Sequence, residues 1–276
     1  MHGEDFSDAA LVILGHGSTK NDGSAAPVYQ HVAELRRRRI FAAVHEAFWK
    51  QEPQVRQVLA GIQAARVFIV PLFVSDGYFS RQVIPRELGF GESPVVHARN
   101  QRWFYCHPIG THDSMTNVLL ARAREIVEQF PFPRAPKPKE ITLFIAGHGT
   151  ERNAGSSAVI HRQVELIRAL GLYPDVRAIF MEEEPRIAQC YELAQTRNVI
   201  VVPFFISDGM HTQEDIPMLL GEPKRVVQQR LEAGQPTWRN PTEKHGKLVW
   251  YAPAVGTEPL IAEVILDRAR EASQWK

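Results

Sequence analysis

The sequence predicts an α/β protein made of two tandem, similar parallel-sheet domains. Three observations carry this. Short continuous apolar runs, such as Val199-Ile-Val-Val-Pro-Phe-Phe-Ile206, alternate with longer mixed segments. Such runs mark parallel strands covered on both faces, and the alternation implies right-handed βαβ crossovers. The chain also repeats itself at a fixed offset. Finally, the two copies are separated by the stretch 131–139, whose spaced prolines cannot continue a helix and favour an extended connector.

The repeat is gapless over a long span. An offset of 132 residues takes His16 to His148, Asn21 to Asn153, Gly23 to Gly155 and Ser24 to Ser156. It takes Glu52-Pro53 to Glu184-Pro185, Ile84-Pro85 to Ile216-Pro217, and the run Val70–Gly77 to Val202–Gly209. Towards the ends the offset grows to 146, pairing Gly110-Thr111 with Gly256-Thr257 and the Arg-Ala-Arg-Glu at 122–125 with that at 268–271. The second copy therefore carries an insertion within about Gly221–Gly246. The domains expected from this duplication are 1–130 and 140–276, joined by the linker 131–139 and facing one another across a cleft.

In the first copy the pattern predicts strands at 11–15, 43–49, 66–72 and 102–107, with helices at 24–38, 53–64, 81–88 and 112–129. In the second, strands are predicted at 141–147, 175–181, 198–204 and 248–253. A chain of 276 residues is enough for two such domains. Its 32 Lys and Arg nearly balance 31 Asp and Glu, so no overall field favours nucleic acid. The run Arg36–Arg39 reads as a solvated helix end. Cys106 and Cys190 are isolated, one per half, which argues against a disulfide framework or a zinc–thiolate site. Met1–Ala10 lacks the apolar core of a signal peptide, and no apolar run reaches the roughly 20 residues that span a bilayer. A cytoplasmic protein without membrane or nucleic-acid partners is expected, either monomer or homodimer.

Ligands of open α/β sheets bind at the C-terminal ends of the strands. In the second copy that edge collects His148 after the first strand, Glu182-Glu-Glu184 after the second, and Ser207, Asp208, Gly209 and His211 after the third. Two imidazoles and a carboxylate suit a first-row divalent metal with open coordination positions, and the same groups accept protons near neutral pH. The first copy keeps His16 but places Lys50 opposite Glu182 and Phe79 opposite His211, neither of which replaces a ligand. The second copy is thus the expected working site. Trp49, Tyr78 and Phe79 would offer a flat apolar wall. Taken singly, each feature has a plainer reading: a loop histidine bonded to backbone, a solvated acidic run, a turn at Asp208-Gly209. The glycine-rich loop could also cradle a phosphate, but neither nucleotide-binding glycine pattern is present. The concurrence of three metal-competent groups, two of them missing from the twin, favours a site.

These residues resemble the CbiX/SirB group of class II chelatases, which insert a metal into sirohydrochlorin in cobalamin or sirohaem biosynthesis. The matching features are an apolar strand ending Gly-His-Gly-[Ser/Thr] at 13–18 and 145–150, Phe-Met-Glu at 180–182, and Val202-Pro-Phe-Phe-Ile-Ser-Asp-Gly-Met-His211 followed by Asp215-Ile-Pro217. The resemblance implies two flavodoxin-like halves around a tetrapyrrole cleft. It places the family's His, Glu and His on His148, Glu182 and His211, with Glu184 a rival because the repeat preserves the Glu-Pro pair. Two-domain members of the group would carry the complete set in the N-terminal half; here it falls in the C-terminal half. The implied reactants are a polycarboxylated tetrapyrrole and cobalt, iron or nickel as a substrate metal, with no permanently bound cofactor. Arg152, Asn153, Ser156 and Arg81 would hold the peripheral carboxylates, with His16, Tyr78, Phe79, Ser207, Asp208 and Gly209 as further substrate contacts. A non-catalytic tetrapyrrole or metal carrier of the same fold remains the alternative.

Overall fold

The computed structural model describes residues 4–18, 22–98, 100–149 and 154–276, with the backbone alone at 22, 154 and 156. The chain forms two compact units, Met1–Met115 with Pro259–Lys276, and Thr116–Glu258.

The first unit contains β1 (Ala9–Gly15), α1 (Ala26–Arg38), β2 (Ala43–Phe48), α2 (Val55–Gly61), β3 (Arg66–Pro71), α3 (Ile84–Glu87), β4 (Val95–Ala98) and β5 (Gln101–Tyr105). Its sheet has the order β2-β1-β3-β5-β4. Every residue of β1 is buried, as its unbroken apolar run requires of a strand with helices on both faces. Burying each of Leu11, Ile13 and Leu14 contributes about 1.5–3 kcal/mol relative to exposure. Arg36, Arg37 and Arg38 form the last turn of α1, where positive charge suits the helix dipole, and pair with Glu46 and Glu34. The solvated-helix-end reading of this run holds.

The second unit contains most of α4 (Met115–Gln129), then β6 (Ile141–Gly147), α5 (Ala154–Ala169), β7 (Asp175–Phe180), α6 (Cys190–Leu193), β8 (Asn198–Pro203), α7 (Ile216–Leu219), α8 (Lys224–Glu232), β9 (Thr242–Lys244) and β10 (Lys247–Tyr251). Its sheet, β7-β6-β8-β10-β9, copies the first. The register copies too: Gly15 faces Phe48 as Gly147 faces Phe180, with the same offset of 132. In both sheets strand order reverses between the first and third strands, β1 and β3 or β6 and β8, which creates a switch point beside the ends of β1 and β6.

Two expectations need correction. The sheets are not wholly parallel, because β4 and β9 pair antiparallel with β5 and β10 at one edge. The β9–β10 hairpin turns through His245 and Gly246, both at positive φ, as a tight two-residue hairpin requires. The insertion in the second copy contains α8, which buries Val227, whereas the hairpin β9–β10 is the counterpart of β4–β5 at the offset of 146. Lastly, the compact units do not follow the sequence repeats 1–130 and 140–276. The last helix, α9 (Ile261–Ser273), belongs with the first unit, and α4 belongs from Thr116 onward with the second. Buried arginines explain the exchange. Arg268 donates through Nε and Nη2 to the Pro108 carbonyl at 3.1 and 2.9 Å and through Nη2 to Thr111 Oγ1. Its repeat mate Arg122 donates to Thr257 Oγ1 at 2.7 Å. Residues 131–139 consequently lie inside the second unit, where Arg134 and the Lys137 backbone N–H hold Glu140. Arg134, then that backbone bond, lowers the Glu140 carboxyl to about 2.

Candidate functional site

The candidate site sits at the C-terminal ends of β6, β7 and β8. Glycine brackets the first histidine for steric reasons. A Cβ at Gly149, which has φ +65°, would lie 2.9 Å from Phe180 Cβ, so the loop after β6 can hug the end of β7 only without a side chain there. The His148 carbonyl then accepts from the Met181 and Glu182 backbone N–H groups at 3.1 and 3.0 Å. These two bonds tie the carboxylate-bearing loop to the histidine loop. Glu182 Oε2 lies 3.8 Å from His148 Nδ1.

The second histidine comes from a π-helical turn, His211–Asp215, between β8 and α7. Single π turns recur at functional sites. This one is braced locally. Gly209 N–H donates to Thr212 Oγ1 at 2.9 Å, and the buried Tyr251 hydroxyl donates to the Thr212 carbonyl at 2.8 Å. Burial and the nearby Asp208 charge hold the Tyr251 phenol well above its ordinary value, so it stays a donor. Asp208 Oδ1 accepts from the Ala254 N–H at 3.0 Å, fixing the loop between β8 and the turn to the segment after β10.

The rings of His148 and His211 stand 5.0 Å apart between centroids, crossed at 82°. His148 Nδ1 bonds the Gly149 carbonyl at 2.9 Å, and His211 Nδ1 bonds Asp215 Oδ2 at 2.7 Å. Neither acceptor can donate, so each Nδ1 carries a proton, and the neutral form of each ring has its lone pair on Nε2. The two side chains are 38% and 41% exposed, within reach of an incoming metal. Among the described residues no three His, Cys, Asp or Glu side chains form a closed cation cage. The site is an open pair of imidazoles with a carboxylate beside one of them, suited to handling a metal in transit rather than locking it. Cys106 and Cys190 are both buried; burial pushes the Cys190 thiol to about 12 and the Cys106 thiol up, so neither offers a thiolate.

The remaining expected site residues fall as follows. Glu184 does not join the pair: it is mostly exposed and its Oε1 lies 3.4 Å from Arg186 Nε. In both copies the Glu-Pro motif takes part in the same backbone contact, the Pro185 and Pro53 carbonyls accepting from the Phe180 and Phe48 N–H groups. Ser207, Asp208 and Gly209 share the loop leading into the π turn, half-buried. Ser156 lies in the first turn of α5. Arg152 and Asn153 lie outside the described residues. In the first unit, His16 Nδ1 bonds the Gly17 carbonyl at 2.9 Å, and its ring stands 6.4 Å from Phe79 at 84°. Tyr78 and Phe79 are exposed there, and Arg81 Nε lies 3.2 Å from Asp76. The frame of the site is thus duplicated, but its ligands are not. From sequence Asp215 enters only as part of the Asp215-Ile-Pro217 match, without a role, and Tyr251 does not enter at all. The four-residue spacing from His211 could have pointed to Asp215; nothing local points to Tyr251. Beside the π turn a cavity of about 900 Å³ opens, with Asp208, Thr212 and Gln213 on one side and Trp238 and Arg239 of the insertion on another.

Comparison with known proteins bears on the fold and the family. The CbiX family model matches residues 10–126 and 142–272, one stretch per repeat. A probable sirohydrochlorin cobaltochelatase of Halobacterium salinarum is 40% identical over 279 aligned positions, covering 95% of this chain and 91% of the relative. A multi-domain protein from Deinococcus radiodurans with structural similarity to chelatases superposes with a TM-score of 0.78 at 26% identity; the match takes in 97% of this chain but only 56% of that longer one. SirB from Bacillus subtilis, solved with Fe3+, shares the fold at a TM-score of 0.69 and 17% identity, over 96% of both chains. With both repeats matched by one family model and a relative this similar aligned along nearly its whole length, the chain belongs to the CbiX family.

Proposed function

We propose that this chain is a class II chelatase that inserts a divalent metal into sirohydrochlorin. The observation that carries the reading is the crossed pair His148 and His211, each with Nδ1 occupied and Nε2 free to meet a metal from the open side. Insertion replaces two pyrrole N–H protons by one M2+ and releases two H+. Neutral imidazoles and an ionised carboxylate suit both halves of that exchange, as ligands for the entering metal and as acceptors for the leaving protons. In this reading the imidazoles of His148 and His211 receive the metal and Glu182 takes a proton. The metal is a substrate, Co2+ by the kinship with the Halobacterium relative and Fe2+ or Ni2+ as alternatives. Arg152, Asn153 and the start of α5 at Ser156 are assigned to the peripheral carboxylates, where cationic side chains and helix N–H groups bind anions.

The test mixes purified protein with sirohydrochlorin and Co2+ and follows the change in the tetrapyrrole absorption. The expected result is insertion faster than the spontaneous reaction, abolished by His148→Ala and by His211→Ala and reduced less by His16→Ala. A protein that binds the tetrapyrrole without accelerating insertion would be a carrier. A dominant effect of His16→Ala would move the working site to the first repeat.

A further inference from the structure

We propose that Asp215 is a positioning residue for metal delivery: it fixes the tautomer and the direction of His211, and it is the feature that separates the working π turn from its silent copy. The inference rests on the reading that His211 receives the metal.

The geometry is direct. Asp215 Oδ2 lies 2.7 Å from His211 Nδ1, four residues along the same π turn. The carboxylate can only accept, so it holds the proton on Nδ1 and turns Nε2 outward as the free ligand atom. Outer carboxylates of this kind orient metal-binding histidines and raise their basicity. The other rings near His211 are Phe205 at 6.1 Å and His148 at 5.0 Å between centroids, and neither can replace that acceptor.

The internal repeat supplies the control. The first unit builds the same π turn, Phe79–Val83, followed by the same Ile-Pro start of a short helix. In that copy Phe79 stands in place of His211 and Val83 in place of Asp215. The turn therefore forms without a carboxylate at its last position. What the fold does not require of Asp215, the histidine does: both groups are present in one copy and both absent from the other. The bond from His148 to its neighbouring carbonyl, by contrast, is repeated at His16 and so does not distinguish the copies.

The experiment uses the full chain and three variants, Asp215→Val (the residue of the first repeat), Asp215→Ala and Asp215→Asn, with His211→Ala as reference. Co2+ alone is titrated into each protein, recording its visible absorption, and insertion is then assayed over both substrates. Asp215→Val and Asp215→Ala should weaken Co2+ binding about 10- to 100-fold and alter the Co2+ spectrum. They should raise KM for Co2+ while leaving KM for the tetrapyrrole unchanged. Asp215→Asn, whose amide oxygen still accepts from Nδ1, should recover part of the loss. A purely structural role would lower Tm without this split. If Asp215→Val and Asp215→Ala bind and insert Co2+ like the parent while His211→Ala does neither, the positioning role is refuted and the histidine assignment stands. If His211→Ala itself behaves like the parent, the site reading fails. Should Asp215→Val not fold, Asp215→Ala decides alone.

Discussion

Glu182 and Glu184 are two residues apart, and the chain uses them differently. The backbone N–H of Glu182 is pinned to the His148 carbonyl, which carries its side chain to 3.8 Å from that imidazole. Glu184 points to Arg186. If Glu182 relays protons, Glu182→Gln should lower the insertion rate roughly 100-fold or more, the usual scale for losing a positioned proton acceptor. Glu184→Gln should leave that rate within about two-fold, since an exposed ion pair of this type is worth little. Steady-state rates of the two variants, measured side by side, check the distinction; equal losses would refute it. The sequence leaves these carboxylates open, because the repeat preserves Glu184-Pro185 while the family resemblance points to Glu182, and their different distances to His148 arise only in the fold. Gly256 is the opposite case. Its recurrence with Gly110 is visible in sequence, and its reason is steric: a Cβ there would fall 1.7 Å from the Ile206 carbonyl oxygen.

At the scale of elements, the buried strands were legible because continuous apolar runs have one reading when helices cover both faces. The edge strands were not. Val95–Ala98 is only half-buried, and Thr242–Lys244 is three polar or charged residues whose pairing is dictated by the turn at His245-Gly246. The π turn Phe79–Val83 overlaps the helix expected at 81–88, and its copy His211–Asp215 is expected only as loop, since nothing in side-chain pattern tells an i→i+5 turn from an i→i+4 one. The exchanged helices hid a different kind of information. The Arg-Ala-Arg-Glu repeat was plain in the sequence, but its function is to hold each helix to a sheet of the other repeat. Arg268 is nearly fully buried and spans the Pro108 carbonyl, Thr111 and Glu271. Truncating it removes the guanidinium's bonds to the Pro108 carbonyl and to Thr111 and leaves a gap where a nearly buried side chain stood, so Arg268→Ala should destabilise the first unit by about 2–4 kcal/mol. Urea denaturation read out at Trp103, in β5, should show the loss; an unchanged midpoint would mean that apolar packing of α9 suffices.

At the scale of the molecule, duplication has supplied two frames of the same sheet order and register, and on the reading proposed above only the second carries the working site. The first unit retains the histidine, its bond to the next carbonyl, and the contact of the following loop: Lys50 N–H donates to the His16 carbonyl at 2.8 Å as Glu182 N–H does to His148. The rings at the two turns cross at 84° and 82°. Three side chains around these histidines then differ between the frames: Lys50 against Glu182, Phe79 against His211, and Val83 against Asp215. Lys50 and Phe79 are exposed and Val83 is half-buried, so changing all three should cost only about 1–2 kcal/mol, the scale of surface and partly buried substitutions. The triple variant Lys50→Glu, Phe79→His, Val83→Asp should therefore fold and bind a second equivalent of Co2+. In a His148→Ala, His211→Ala background it should restore metal binding that this background alone lacks. Equilibrium dialysis without tetrapyrrole counts the equivalents. A single equivalent in the triple variant, with its fold intact, would mean that the frame is not enough and that the second repeat owes its activity to something besides these three residues, the insertion being the first place to look.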